Sequence, residues 1–150
     1  MDQSSQSGSF NPRTRGRRTR SRGVAAVEFA LVAPLFLLFL FGMIEFGRMV
    51  MVQQVLTNAS REGARIAALD GATATSVIDT VVYHATQAAV TIDPADVTIT
   101  PNNPGDAGYG EPVEVSVAVE FDQVSWLPAP MYLGGKSLIA TTVMRREGAQ

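Results

Sequence analysis

The residues with the clearest potential for chemistry are a few charged groups in or beside one long apolar stretch. Glu28 lies near the start of that stretch, and Glu45 and Arg48 lie at its far end. An acid at the centre of a bilayer is unfavourable by about 2.5 kcal/mol or more, so a simple anchor gains nothing from Glu28. Glu45 and Arg48 are three residues apart, a spacing that lets them pair on a helix. For these two we predict an interfacial ion pair in preference to a functional site.

Residues that usually carry catalysis or bind metals are sparse. The chain has no cysteine, which excludes disulfides, thiolate metal sites and a cysteine nucleophile. His84 is the single histidine and has no second strong metal ligand at a matching spacing, so we interpret it as a packed or solvated side chain. Asp106 and Glu111 lie in a loop where acidic side chains are common at the surface. We therefore predict no enzyme activity, no metal and no cofactor.

The apolar stretch runs from Val24 to Ile44 and has the length of a membrane span. About twenty residues at ~1.5 Å each match the ~30 Å hydrocarbon core of a bilayer. A polar and apolar mixture, GMIEFGRMVM, follows in place of a small-residue cleavage site, which argues against a secretory signal peptide. Pro34 predicts a kink or a locally melted turn within the span.

A cluster of arginines lies directly before the span. It comprises Arg13, Arg15, Arg17, Arg18, Arg20 and Arg22. Positive residues beside a span stay in the cytoplasm, so the cluster predicts a cytoplasmic N-terminus, a C-terminal domain outside and a single pass through the cytoplasmic membrane. Residues 1–23 are rich in Ser, Gln, Gly and Arg, which predicts a disordered leader. No folded basic surface with aromatic groups is visible, so we expect no nucleic-acid partner.

The helix is predicted to continue beyond the membrane, so that residues 24–70 form one transmembrane and extended helix. Apolar or small residues recur there at spacings of three and four: Met49, Val52, Leu56, Ala59, Gly63 and Ile66. This seam suits packing against another helix, and its small residues permit close approach. Docking onto the chain's own domain explains the seam equally well. Asp70 and Gly71 are expected to end the helix.

Residues 71–150 are predicted to form an extracytoplasmic α+β domain. A second helix is expected over residues 72–90, with a capping box at Ser76–Asp79. Alternating apolar and polar residues predict strands over 96–100 and 113–121. A third strand is predicted over 136–145. The fold class is therefore a long N-terminal helix, a second helix and a small antiparallel sheet. The apolar loop 126–135 is expected to cover the end of the sheet, with the bilayer surface or a partner as alternatives.

The start of the apolar stretch resembles a type IV prepilin processing site. Arg22-Gly23 is followed by VAAVEFAL, in which an acid at the fifth position precedes an aromatic residue. This arrangement is typical of the Flp/Tad subclass. The continuation through GMIEFGR and REGAR resembles TadE-like proteins, the minor pseudopilins of tight-adherence (Tad) pili, over about residues 22–69. A closing VMRREG matches loosely.

The resemblance implies a pilin-like fold and a processing site at the Gly23–Val24 bond, with Glu28 and Phe29 as recognition residues. Cleavage by a prepilin peptidase leaves a positive amine on Val24, which Glu28 of the same or a neighbouring subunit would neutralise. The implied function is that of a minor pseudopilin in pilus assembly. The implied partners are the membrane, the peptidase, other Tad pilins and pseudopilins, and the assembly platform. An uncleaved single-pass scaffold protein of the same pilus or secretion machine is the alternative.

Overall fold

Two long helices, one four-residue helix and a three-stranded antiparallel sheet make up the fold of the described residues. A computed structural model describes residues 18–147, with side chains from residue 23 onward. The elements are α1 (Arg18–Ala67), α2 (Ala74–Gln87), β1 (Val97–Thr100), β2 (Pro112–Glu120), α3 (Phe121–Val124) and β3 (Ser137–Arg145), with short 3-10 turns at Pro94–Asp96 and Pro104–Asp106. The described residues divide into two units, 18–39 and 40–147. The predicted α+β fold class is confirmed.

The first helix begins earlier than the sequence predicts. It starts at Arg18, so Arg18–Gly23 are helical although they belong to the leader that we predicted to be disordered. Arginine has a good intrinsic helix propensity, and adding residues to an existing helix is far easier than nucleating one. The helix also continues through Pro34 without a melted turn. Proline removes one backbone donor, and the remaining hydrogen bonds of the helix persist.

The connection between the two helices also corrects a sequence prediction. α1 ends at Ala67, and a turn follows in which Gly71 has a φ of +75°. The capping box at the start of α2 is formed by Thr73 and Ser76, whose side chains each accept a hydrogen bond of 3.2 Å from the other's backbone N–H. The box predicted at Ser76–Asp79 is therefore wrong. Because α2 begins at Ala74, Ser76 already lies within its first turn.

The sheet has the order β1-β2-β3, and both strand pairs are antiparallel. Val117 at its centre faces Val97 on one side and Ala140 on the other. The alternation predicted for β2 is confirmed, since its valines are buried and its intervening residues are mostly exposed. Phe121 is buried too, but it begins α3 and does not extend the strand.

Both helices contribute to the core against the sheet. The buried residues include Val52, Leu56 and Ala59 of α1, Val77, Val81 and Ala85 of α2, and Val113, Val115, Val117 and Val119 of β2. Polar contacts also join α1 to β3. The Gln53 amide donates to the Ile139 carbonyl at 2.8 Å, and the Ser60 and Thr142 hydroxyls are 2.8 Å apart. Beyond β3, the Glu147 N–H donates to the Ala68 carbonyl at 2.7 Å.

Candidate membrane and assembly site

The apolar stretch of α1 exposes large side chains. Phe29 is 73% exposed and Leu31 is 74% exposed, and many of their neighbours up to Ile44 are exposed as well. Among the helices of residues 18–147, α1 alone is long and apolar enough over Gly23–Ala67 to cross a membrane. An apolar surface of this extent is unfavourable in water and marks contact with lipid or protein. One N-terminal helix that could span a membrane is therefore present, as the sequence predicts.

The four predicted processing residues, Gly23, Val24, Glu28 and Phe29, are all exposed near the start of α1. A methyl group built on Gly23 would meet no atom within 4 Å. Val24 and Glu28 are four residues apart, a spacing that places them on the same side of a helix. Of the arginines, Arg18, Arg20 and Arg22 lie within α1, whereas Arg13, Arg15 and Arg17 lie outside the described residues. Cleavage and orientation remain predictions.

Glu45 is the most deeply buried charged residue among those described, with 1% of its surface exposed. Its carboxylate accepts hydrogen bonds from the backbone N–H groups of three consecutive residues. These are Met131, Tyr132 at 2.9 Å and Leu133 at 3.1 Å. An ionised carboxylate offers only acceptors, so three backbone donors suit it and compensate for its burial. Glu45 thereby binds α1 to the loop that precedes β3.

Arg48 lies one turn further along α1 and is also buried. Its Nε donates to the Val124 carbonyl at 2.7 Å, and its Nη2 donates to the Ala89 carbonyl at 3.4 Å. The guanidinium carbon lies 4.8 Å from the centre of the Trp126 ring, within the range of a cation–π interaction. Arg48 therefore connects α1 with the segment after α2 and with the end of α3.

The predicted ion pair between Glu45 and Arg48 is wrong. Within residues 18–147 the two side chains form no ion pair, because each turns into the domain and binds backbone groups. The helical spacing contained a signal for this. Glu45 lies four residues before Met49, which places it on the side of α1 that carries the seam, and Arg48 lies three residues after Glu45, close to the same side. The seam residues themselves pack in this domain: Val52, Leu56, Ala59 and Gly63 are buried, and Met49 and Ile66 are partly buried. Of the two interpretations left open, docking onto the chain's own domain is the observed one.

Other residues considered for chemistry have ordinary surroundings. His84 is exposed, and its ring is nearly perpendicular to the Tyr83 ring, with the two ring centres 5.6 Å apart. Asp106 accepts a hydrogen bond from Asn103 at 3.0 Å, and Glu111 accepts one from the Gly108 N–H at 2.7 Å. In the part of the chain that the structure describes, no group of three or more His, Asp and Glu residues could hold a metal ion.

One family model matches part of the chain. A family model described as TadE-like protein matches residues 23–65, so the match begins at Gly23 and includes Glu28, Glu45 and Arg48. The comparison with curated proteins gave no match, and the comparison with solved structures gave none. The resemblance predicted from the sequence is confirmed over this segment. Over residues 23–65, within its N-terminal helix, the chain matches the TadE-like family.

Proposed function

We propose that this chain is a minor pseudopilin of a Tad pilus, inserted as a single-pass precursor and cleaved by a prepilin peptidase after Gly23. The observation that carries the proposal is the family match, which starts at Gly23 and covers the exposed apolar part of α1. The role is structural, and no catalytic step is assigned to the chain. Its partners would be the peptidase, other Tad pilins and pseudopilins, and the assembly platform.

The exposed apolar surface of α1 supports this role because it suits contact with lipid before assembly and contact with neighbouring subunits after it. In the precursor, lipid covers the side chains from Val24 to Ile44, and the arginine cluster keeps the leader in the cytoplasm. In an assembly, helices of neighbouring subunits replace the lipid. The outer domain buries the later part of α1, so the seam from Met49 to Ile66 is already occupied. Packing between subunits would therefore use the N-terminal part of the helix.

Mass spectrometry of the mature N-terminus tests the processing step. Co-expression of the full chain with its cognate prepilin peptidase is expected to give a product that begins at Val24. Gly23→Val should block cleavage, because a branched side chain prevents close approach of the backbone to the peptidase. Gly47→Val is the matched control. Gly47 is another α1 glycine with open space around it, and this variant should be cleaved normally. An intact wild-type precursor would overturn the proposal and favour the uncleaved scaffold protein.

Glu28 tests the step that follows cleavage. Removing one member of a buried ion pair costs about 3–5 kcal/mol, so loss of the carboxylate opposite the Val24 amine should reduce assembly more than about tenfold. We expect Glu28→Ala to insert normally, as measured by membrane fractionation, and to give few surface pili, as counted by electron microscopy. Glu28→Asp keeps the charge and should assemble better. Wild-type piliation in Glu28→Ala would remove the role of this residue.

A further inference from the structure

Residues 125–135, which make up the connection between α3 and β3 except for Lys136, carry exposed apolar side chains and no charge. The uncharged stretch extends from residue 123 to residue 135. Trp126 is 63% exposed, Met131 is 55% exposed and Tyr132 is 50% exposed. Three large exposed side chains on one short loop form an apolar patch. Such a patch indicates a surface that contacts a membrane or another protein.

The loop packs against α1 where the predicted span ends. A methyl group built on Gly42, in the last turn of the span, would lie 3.3 Å from the Tyr132 ring. Trp126 lies over Arg48, six residues further along the helix. At ~1.5 Å per residue, Gly42 and Arg48 differ in height by about 9 Å along the helix axis, slightly more than the ~5–8 Å thickness of one interfacial layer.

Hydrogen bonds fix the loop in this position. Glu45 holds the backbone of Met131, Tyr132 and Leu133, as described above. The Asp122 carboxylate accepts from the Gly135 N–H at 2.8 Å, and the Lys136 carbonyl accepts from the Phe121 N–H at 2.8 Å. The exposed rings are therefore carried on a segment that is ordered at its middle and at its end.

We propose that residues 125–135 insert into the outer headgroup layer of the bilayer and set the depth of the span. The proposal rests on α1 crossing the membrane as proposed above. Trp and Tyr favour the membrane–water interface because one part of each ring system is apolar and another part forms hydrogen bonds. The surface is continuous with the last turn of the span, at the height where the headgroups lie. Because the loop surface and the end of the span lie at the same height, lipid is favoured over a protein partner as the molecule that contacts the loop.

Trp126 is the only tryptophan of the chain and reports directly on this contact. The experiment uses the full chain in vesicles made with lipids that carry bromine either near the glycerol end or near the methyl end of the acyl chain. Because interfacial tryptophan lies at the headgroup level, we expect about a twofold loss of Trp126 emission with the shallow bromine and a smaller loss with the deep one.

A matched control moves the tryptophan to the opposite end of the sheet. The double variant W126F/Y109W places it at Tyr109, which is 69% exposed and precedes β2, whereas the loop follows that strand. Nine residues of β2 at about 3.3 Å each separate the two positions by nearly 30 Å. This variant should show no quenching by either lipid. Circular dichroism checks that it retains the fold.

A second probe separates this inference from the span itself. The chain has no cysteine, so Leu35→Cys accepts a single fluorescent label near the middle of the apolar stretch. Quenching of the Leu35 label by deep bromine together with quenching of Trp126 by shallow bromine supports the proposal. Quenching of the label alone overturns it and leaves the loop surface for a protein partner. Absence of quenching at both positions overturns the loop proposal and the proposed span together.

Discussion

Replacing Glu45 with alanine is expected to release residues 131–133 from α1 and to lower the midpoint of thermal unfolding by on the order of 10 °C. The reason is that hydrogen bonds to a charged group are strong and that buried donors left without an acceptor are unfavourable. Three backbone N–H groups lose their acceptor at once in this variant. The measurements are circular dichroism of the full chain in detergent micelles and the rate of limited proteolysis within residues 125–135.

Glu62→Ala provides the control for this prediction. Glu62 lies on the same helix and pairs with Arg65 at 2.9 Å, but both side chains are substantially exposed. Exposed pairs contribute little, so the midpoint should change by only a degree or two, on the order of 0.5 kcal/mol or less. If Glu45→Ala were as stable as Glu62→Ala and equally resistant to proteolysis, Glu45 would not hold the loop.

The second large effect is expected at Gly63, the α1 glycine with the least space around it. A methyl group there would lie 2.5 Å from Val81 Cγ2 and 3.3 Å from Val115 Cγ1. Overpacking costs about 1–3 kcal/mol, whereas replacing glycine by alanine within a helix gains at most about 1 kcal/mol. Gly63→Ala should therefore reduce the free energy of unfolding by about 1–2 kcal/mol, as measured by denaturant titration.

Gly47→Ala is the matched control, because it changes the same helix where no atom lies within 4 Å of the added methyl group. It should be neutral or stabilise the protein by up to about 1 kcal/mol through helix propensity alone. Val81→Ala tests the cause of the Gly63 effect. If the clash with Val81 is responsible, the double variant will lose less stability than the sum of the two single variants. Strict additivity would contradict this account.

The sequence predicted those parts of the fold that depend on local patterns. Alternating valines identified β2, and the apolar run identified α1, because a strand repeats every two residues and a span requires a fixed length. The family match confirms the resemblance read from the Gly23–Phe29 segment and the blocks after it. The bounds of α1 and the capping residue of α2 were less accurate, since helix ends depend on which of several nearby side chains reaches the backbone.

Glu45 and Arg48 show why contacts between distant parts of the chain could not be predicted from the sequence. The partners of Glu45 are backbone N–H groups more than eighty residues away, and Arg48 binds carbonyl groups. Every residue type has a backbone carbonyl, and every type except proline has a backbone N–H, so nothing in the composition of residues 131–133 indicates an acidic partner. In the sequence, each of the two residues has the other as its nearest opposite charge, which is why an ion pair was predicted. In the structure, each side chain binds backbone groups of a different segment.

The position of β3 also has a consequence for the order of events during synthesis. This strand pairs with β2 along its whole length and contacts α1 through Gln53 and Ser60. After the strand, the Glu147 N–H donates a hydrogen bond to the Ala68 carbonyl, just beyond the end of α1. One edge of the sheet, and part of the cover of α1, is therefore synthesised about seventy residues after α1 itself. Contacts between distant parts of a chain form slowly, and exposed surfaces invite wrong partners until they do. Until β3 has been synthesised and has paired with β2, the part of α1 that it contacts stays uncovered, and the edge of β2 is open to pairing with other strands.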